Sequence, residues 1–217
     1  MSTPTAASLS PRRAYWLKTL HEWHWVSSAL CLVGMLLFAA TGITLNHASQ
    51  IDTQPVVTHR SAALPAPLRE QLETALPAAR KQPEKRAPLP ADVSRWVHEQ
   101  WQVDTAGRNA EWSEEEVYVS LPRPGGDAWL RVVLPEGEAE YELTDRGWIS
   151  YLNDLHKGRN TGAAWSWFID IFAAAALLFS ITGLLILKMH AGKRPFTWPM
   201  VGLGLLAPLL LALLLIH

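Results

Sequence analysis

"LHEWHWVSSALCLVGMLLFAATGITLNH", residues 20–47, decides what kind of protein this is. From Val26 to Leu45 it runs for about 20 positions without a charged residue. A helix of about 20 apolar residues crosses the hydrocarbon layer of a bilayer, so the stretch predicts a transmembrane helix. It is too long for the apolar part of a cleavable signal peptide, and no small-residue cleavage site follows it. Histidines stand near both ends: His21 and His24 before the run, His47 after it. An imidazole at the margin of a membrane helix calls for a physical reason.

Two further runs lie outward along the chain. Ala164 to Leu187 carries one acid, Asp170, and Pro199 to Ile216 is a third run broken by Pro208. Proline is tolerated in a membrane helix where neighbours re-satisfy the freed carbonyls. The fold class expected is an α-helical integral membrane protein with three transmembrane helices, its first partner a lipid bilayer. Arg12, Arg13 and Lys18 precede the first run, and Lys188, Lys193 and Arg194 lie between the second and third. Lys and Arg in short loops stay on the cytoplasmic side, which places the N-terminus inside and residues 48–163 outside. One cysteine, Cys31, excludes an intrachain disulfide and a Cys-based metal site, and reads as a small buried hydrophobe. A formal net charge of −1 argues against nucleic-acid binding.

The outer segment has two parts. Residues 53–90 are rich in Ala and Pro, with one short helix expected from Leu68 to Ala79. After them, "ADVSRWVHEQ" places Val93, Trp96 and Val97 at helical spacing with Asp92 in the first turn. "EVYVSLP" alternates like a strand, "DAWLRVVLP" follows the turn signal "RPGG", and "EAEYELTD" follows "PEG". The expectation is one helix and a three-strand antiparallel meander, whose small core needs support from the membrane helices or a partner.

The helix-plus-meander between "LHEWHW" and "LHKGR" resembles the PepSY-associated transmembrane family. The motifs are Leu20, His21 and Trp23, matching "LHxW", and Leu155, His156 and Gly158, matching "LHxG". "TGITLNH" resembles a short, three-helix branch, and the resemblance covers roughly residues 15–195. It implies haem b held by paired histidines, reduction of ferric iron or a ferric-siderophore at the bacterial inner membrane, and a small α+β periplasmic PepSY-like domain. That domain type is otherwise linked to inhibiting peptidases. The segments expected are a cytoplasmic N-terminus (1–20), transmembrane helix 1 (21–47), an Ala/Pro-rich periplasmic linker (48–90), the PepSY-like domain (91–155), transmembrane helix 2 (156–190), a cytoplasmic loop (191–196) and transmembrane helix 3 (197–217).

Haem iron takes two axial imidazoles, and helix bundles hold such pairs in their interior. On this topology His47 and His156 share the outer surface, and His21, His24 and His190 the inner one. Each surface has a candidate pair drawn from two helices. His21 and His24 compete for the inner position, being three apart and so on nearly the same helical face. The ordinary alternative is an interfacial histidine bonding headgroups, and for His59, His98 and His217 a solvated side chain. His21 to His47 is 26 residues, about 39 Å of helix, against roughly 30 Å of hydrocarbon. A tilt or break near Gly42, a single haem, or intervening aromatics such as Phe38, Trp165 and Trp167 would each resolve this.

Arg159 and Lys157 flank His156 and suit haem propionates. Asp170 suits a proton or a bond to a ligand histidine, or a plain interfacial acid. Gly34, Gly42 and Gly183 allow close approach of helices or a flat macrocycle, and Thr41 and Thr182 suit back-bonds within their helices. Glu114 to Glu116 suits a hard cation or a solvated face. No phosphate loop, dinucleotide fingerprint or nucleophile motif occurs, so electrons are expected from a quinol or a separate redox protein. The leading expectation is a haem b oxidoreductase, one or two haems per chain or per dimer, passing electrons outward to ferric iron or a ferric-siderophore. The alternative is a non-enzymatic membrane anchor whose PepSY-like domain binds or inhibits another envelope protein. Two ligand-bearing helices make half of a four-helix bundle, so a homodimer is expected.

Overall fold

The computed structural model describes residues 11–51 and 54–216. The first ten residues, Asp52, Thr53 and His217 lie outside the described residues. Along the chain come α1 (Pro11–Asn46), β1 (Val56–Ala63), α2 (Ala66–Ala79), β2 (Arg86–Pro88), α3 (Ala91–Trp101), β3 (Asn109–Trp112), β4 (Glu116–Ser120), β5 (Gly126–Val133), β6 (Glu138–Asp145), α4 (Gly147–Lys157), α5 (Ala163–His190) and α6 (Thr197–Leu215). They form two compact units. One is the chain up to Ala39 together with Trp167 onward, and the other is Ala40–Ser166.

The first unit is helical. Helices α1, α5 and α6 are each long and apolar enough to cross a membrane, which agrees with the three runs expected. Helix α1 is continuous through Gly42, so a break there, one of the ways offered to resolve its length, does not occur. Two helices run antiparallel, because early α1 meets late α5: Arg13 reaches Met189, His21 meets His190, and His24 meets Thr182. Further along, Gly34 admits Phe172, whose ring lies where a Cβ would stand 2.4 Å from its Cε2. Phe172 stacks on Phe38 at 5.0 Å and on Phe168 at 6.2 Å. Small residues at the contact let helix backbones approach where no hydrophobic force drives them together. Ser27 and Cys31 are buried on the same stripe of α1, as expected for the cysteine. None of α6's residues is buried, which suits a helix solvated by lipid.

The second unit is an antiparallel sheet of six strands in the order β1-β6-β5-β4-β3-β2. Alternation builds it: Ala128, Leu130 and Val132 of β5 are buried, and Trp129 and Arg131 between them are not. Leu72 of α2 and Val93, Val97 and Trp101 of α3 join these strand residues in one core. Burying each such side chain contributes roughly 1.5–3 kcal/mol. Helices α2 and α3 and strands β4, β5 and β6 stand where the sequence predicts them.

The three-strand meander is corrected to six strands, and the stretch 48–90 is not a linker: it supplies β1, α2 and β2. Strand β1 is an edge strand with only two of its eight residues even half-buried, so it carries no apolar alternation. Strands β2 and β3 have three and four residues, too few for a pattern to register.

The segment expected as transmembrane helix 2 is also corrected, because it comprises two helices. Helix α4 ends at Lys157, and the membrane helix α5 starts at Ala163. Gly158 takes the left-handed conformation that closes α4, with φ +66°. The "LHKG" motif is thus a helix-ending signal that leaves His156 in the last turn of α4. Helix α4 is seated on the β4–β5 turn. Gly125 has φ +75°, a Cβ there would lie 2.8 Å from the Tyr151 backbone, and its N–H donates to Asp154 Oδ2 at 2.8 Å.

Candidate functional site

The histidines singled out in the sequence fall into both units. In the first, the His21 and His190 rings meet edge to face, 6.1 Å apart at 89°. Each bonds within its own helix: His21 Nδ1 lies 2.7 Å from Leu17 O and His190 Nδ1 2.8 Å from Ile186 O. A carbonyl only accepts, so both Nδ1 atoms carry the proton and the lone pair is on Nε2. Both side chains are exposed.

His24 is held differently, being half-buried and reaching across to α5. Its Nδ1 lies 3.0 Å from Thr182 Oγ1 and 3.2 Å from Phe179 O, and its ring stacks on Phe179 at 4.6 Å and 15°. A Cβ on Gly183 would lie 3.1 Å from His24 Cε1, so glycine leaves the space for this ring. Thr182 is only 4% exposed. Its hydroxyl lies 2.7 Å from Leu178 O and 3.0 Å from Phe179 O. That is the back-bond expected of a membrane-helix threonine.

In the second unit, His156 packs against α1 at Thr41 and Gly42. Its Nδ1 lies 2.7 Å from Thr41 Oγ1, and a Cβ on Gly42 would come 3.5 Å from its Cε1. The same seam is tied by Thr44 Oγ1, which donates to the buried Asn153 Oδ1 at 2.8 Å. Trp165 Nε1 donates to Leu155 O at 2.8 Å, linking the start of α5 to the end of α4. His47, expected to share a surface with His156, follows the last residue of α1 and is exposed. Its Nδ1–H donates to Ile43 O at 3.0 Å.

A cleft of about 260 Å³ is lined by Leu45, Arg146, Asn153, Asp154, Lys157 and Arg159, and His156 is not part of its lining. Arg146 is paired with Asp127 at 2.5 Å, and Asp154 with the Gly125 N–H. Lys157 and Arg159, which closely follow His156 in the sequence, both line this cleft. Other readings resolve more simply. Glu114 pairs with Arg80 at 2.6 Å and Glu116 with Arg131 at 3.8 Å, so the acidic run is offset by cations of its own fold. His59 sits on β1, 3.9 Å from Glu142. His98 is exposed on α3, and Asp170 exposed on α5. Among the described residues, no three His, Cys, Asp or Glu side chains gather into a metal-binding group.

The role of the threonines toward the histidines escaped the sequence reading, although a signal was present. "FAATG", residues 38–42, and "FSITG", residues 179–183, share the pattern F-x-x-T-G. Each copy receives a histidine from a different helix.

A family model, PepSY_TM-like, matches residues 15–217. No curated protein and no solved structure matches the chain.

Proposed function

The chain belongs to the PepSY_TM-like family, and we propose that it is a haem b electron-transfer protein of the bacterial inner membrane that reduces ferric iron, free or held by a siderophore, on the side of its sheet domain. One observation carries the reading. Two histidines have Nδ1 held by a threonine hydroxyl of another helix, His24 by Thr182 Oγ1 and His156 by Thr41 Oγ1. Metal-ligating histidines almost always commit one ring nitrogen this way, which orients the ring and raises the basicity of the other.

The donor set also fits the group. Imidazoles from more than one helix suit low-spin haem b, and among the described residues no cluster of three His, Cys, Asp or Glu side chains competes for the metal. His21, His24 and His190 would hold haem in one unit, and His47 and His156 in the other. Lys157 and Arg159, which line one polar cleft and closely follow His156 in the sequence, would receive propionates. When bound, haem supplies one-electron chemistry, which no protein side chain here offers. The chain's own contribution is the axial nitrogen, the apolar surroundings and the cations of that cleft. A quinol releases two electrons and two protons on oxidation, so one quinol balances the reduction of two ferric ions to ferrous. A redox protein in the same membrane is the other donor consistent with the absence of a dinucleotide motif. The homodimer belongs to the proposal, since only two membrane helices, α1 and α5, bear candidate ligands and a four-helix frame needs four.

Purified from cells supplied with haem, the protein should be red, show b-type bands on reduction, lose them to added ferric citrate, and run as a dimer by light scattering. A colourless protein would overturn the reading. It would leave the alternative of a membrane-anchored sheet domain that binds or inhibits another envelope protein.

A further inference from the structure

We propose that Thr182 and Thr41 are positioning residues of one kind, each the receiving half of an F-x-x-T-G clamp, and that His24 and His156 are the histidines whose Nε2 the fold prepares for a ligand. This rests on the haem reading for the identity of the ligand, but not for the clamp.

A threonine hydroxyl has one proton. Thr182 Oγ1 lies 2.7 Å from Leu178 O and 3.0 Å from Phe179 O, and both carbonyls only accept. Its proton is therefore spent within α5, and toward His24 Nδ1, 3.0 Å away, the oxygen presents a lone pair. Phe179 O is a second acceptor for the same Nδ1–H. Two acceptors hold the proton on Nδ1 and the lone pair on Nε2. The Phe179 face and the bare Cα of Gly183 confine the ring on two further sides. Thr182 is buried, so water does not compete for the bond.

The second copy repeats the parts. Thr41 Oγ1 meets His156 Nδ1 at 2.7 Å, and Gly42, like Gly183, faces the Cε1 of its histidine. Threonine at Nδ1 and glycine at Cε1, in the same order and spacing, is a shared geometry. His21, His47 and His190 lack it. Each is exposed and has one carbonyl bond to its own helix, a contact open to many exposed helical histidines. The inner competition between His21 and His24 is thereby decided for His24, and at the other end His156 is the clamped member of the pair it forms with His47.

The test uses the full chain in lipid nanodiscs, with Thr182→Val and Thr41→Val, which keep the shape and remove the oxygen, and Thr182→Ser and Thr41→Ser, which keep the oxygen. Nitrogen-15 NMR of labelled histidine in the haem-free protein reports the tautomer. His24 and His156 should be Nδ1-protonated, each Val variant should disturb its own histidine alone, and each Ser variant should restore it. In the haem-loaded protein, electron paramagnetic resonance should show that Thr182→Val shifts one low-spin signal and Thr41→Val another, with roughly 3- to 10-fold weaker haem retention, the loss of about one net hydrogen bond. His24→Ala and His156→Ala should abolish those signals, and His21→Ala should not. Unchanged tautomers in both Val variants overturn the clamp even if the protein is red. A colourless protein overturns the haem reading, and the NMR result still decides the clamp. Loss of the low-spin signal in His21→Ala but not in His24→Ala overturns the ligand assignment.

Discussion

Gly34→Ala isolates the close packing of α1 on α5 in a single methyl group. The new Cβ would stand 2.4 Å from Phe172 Cε2 and 2.9 Å from Cδ2. Carbon atoms in ordinary contact are about 3.5–4 Å apart, so the overlap exceeds an ångström. Phe172 has little freedom to turn away, because it is stacked on Phe38 at 5.0 Å and beside Phe168 at 6.2 Å. Moving the helices apart costs roughly 1–3 kcal/mol as overpacking, and turning Phe172 instead forfeits about 0.5–1.5 kcal/mol per aromatic pair. Alanine recovers up to about 1 kcal/mol of helix propensity. The net expectation is a loss of about 1–2 kcal/mol, or roughly 2–8 °C in melting temperature for a chain of this size. Gly202→Ala on α6 is the control, because nothing lies within 4 Å of its Cβ. It makes the same chemical change without the clash and should be neutral or slightly stabilising. Both are measured by thermal unfolding in one detergent, followed by near-ultraviolet circular dichroism. A Gly34→Ala protein as stable as wild type, or a Gly202→Ala protein equally weakened, would refute the packing argument.

Leu130→Ala, at a fully buried position in the centre of β5, should destabilise the sheet domain by about 2–5 kcal/mol; a melting temperature within 2 °C of wild type, about the shift expected from less than 1 kcal/mol, would mean that this core does not close. A reporter fused after Ser120 should be active only as a periplasmic enzyme, following the Lys and Arg residues at the ends of the first two spans. Cytoplasmic activity there inverts the topology and removes the case for outward reduction.

The histidines themselves were visible in the sequence, because an imidazole at the end of an apolar run stands out against its surroundings. Their partners were not. Thr41 and Thr182 read as ordinary back-bonding residues, and Gly42 and Gly183 as generic small contacts. The repeat F-x-x-T-G acquires meaning once a ring is seen lying against it. Nor did the motifs reveal which structure each histidine belongs to. "LHKG" looks like the entrance to a membrane helix, whereas Gly158 ends a separate helix whose seat is the β4–β5 turn.

By itself the sequence determined the three apolar spans, α3, and strands β4, β5 and β6. Each rests on a signal within a short window: run length for a bilayer, a 3.6-residue period for a helix, a two-residue period for a half-buried strand. Tertiary structure alone decided that residues 56–63 close one edge of the sheet, since β1 pairs with β6 about 80 positions later and is too exposed to show a pattern. It alone brought His156 to Thr41 across 115 residues and His24 to Thr182 across 158. Such bonds depend on which helix faces meet, and that is set by where glycine and other small side chains let two backbones approach, not by any property of the residues nearby in sequence.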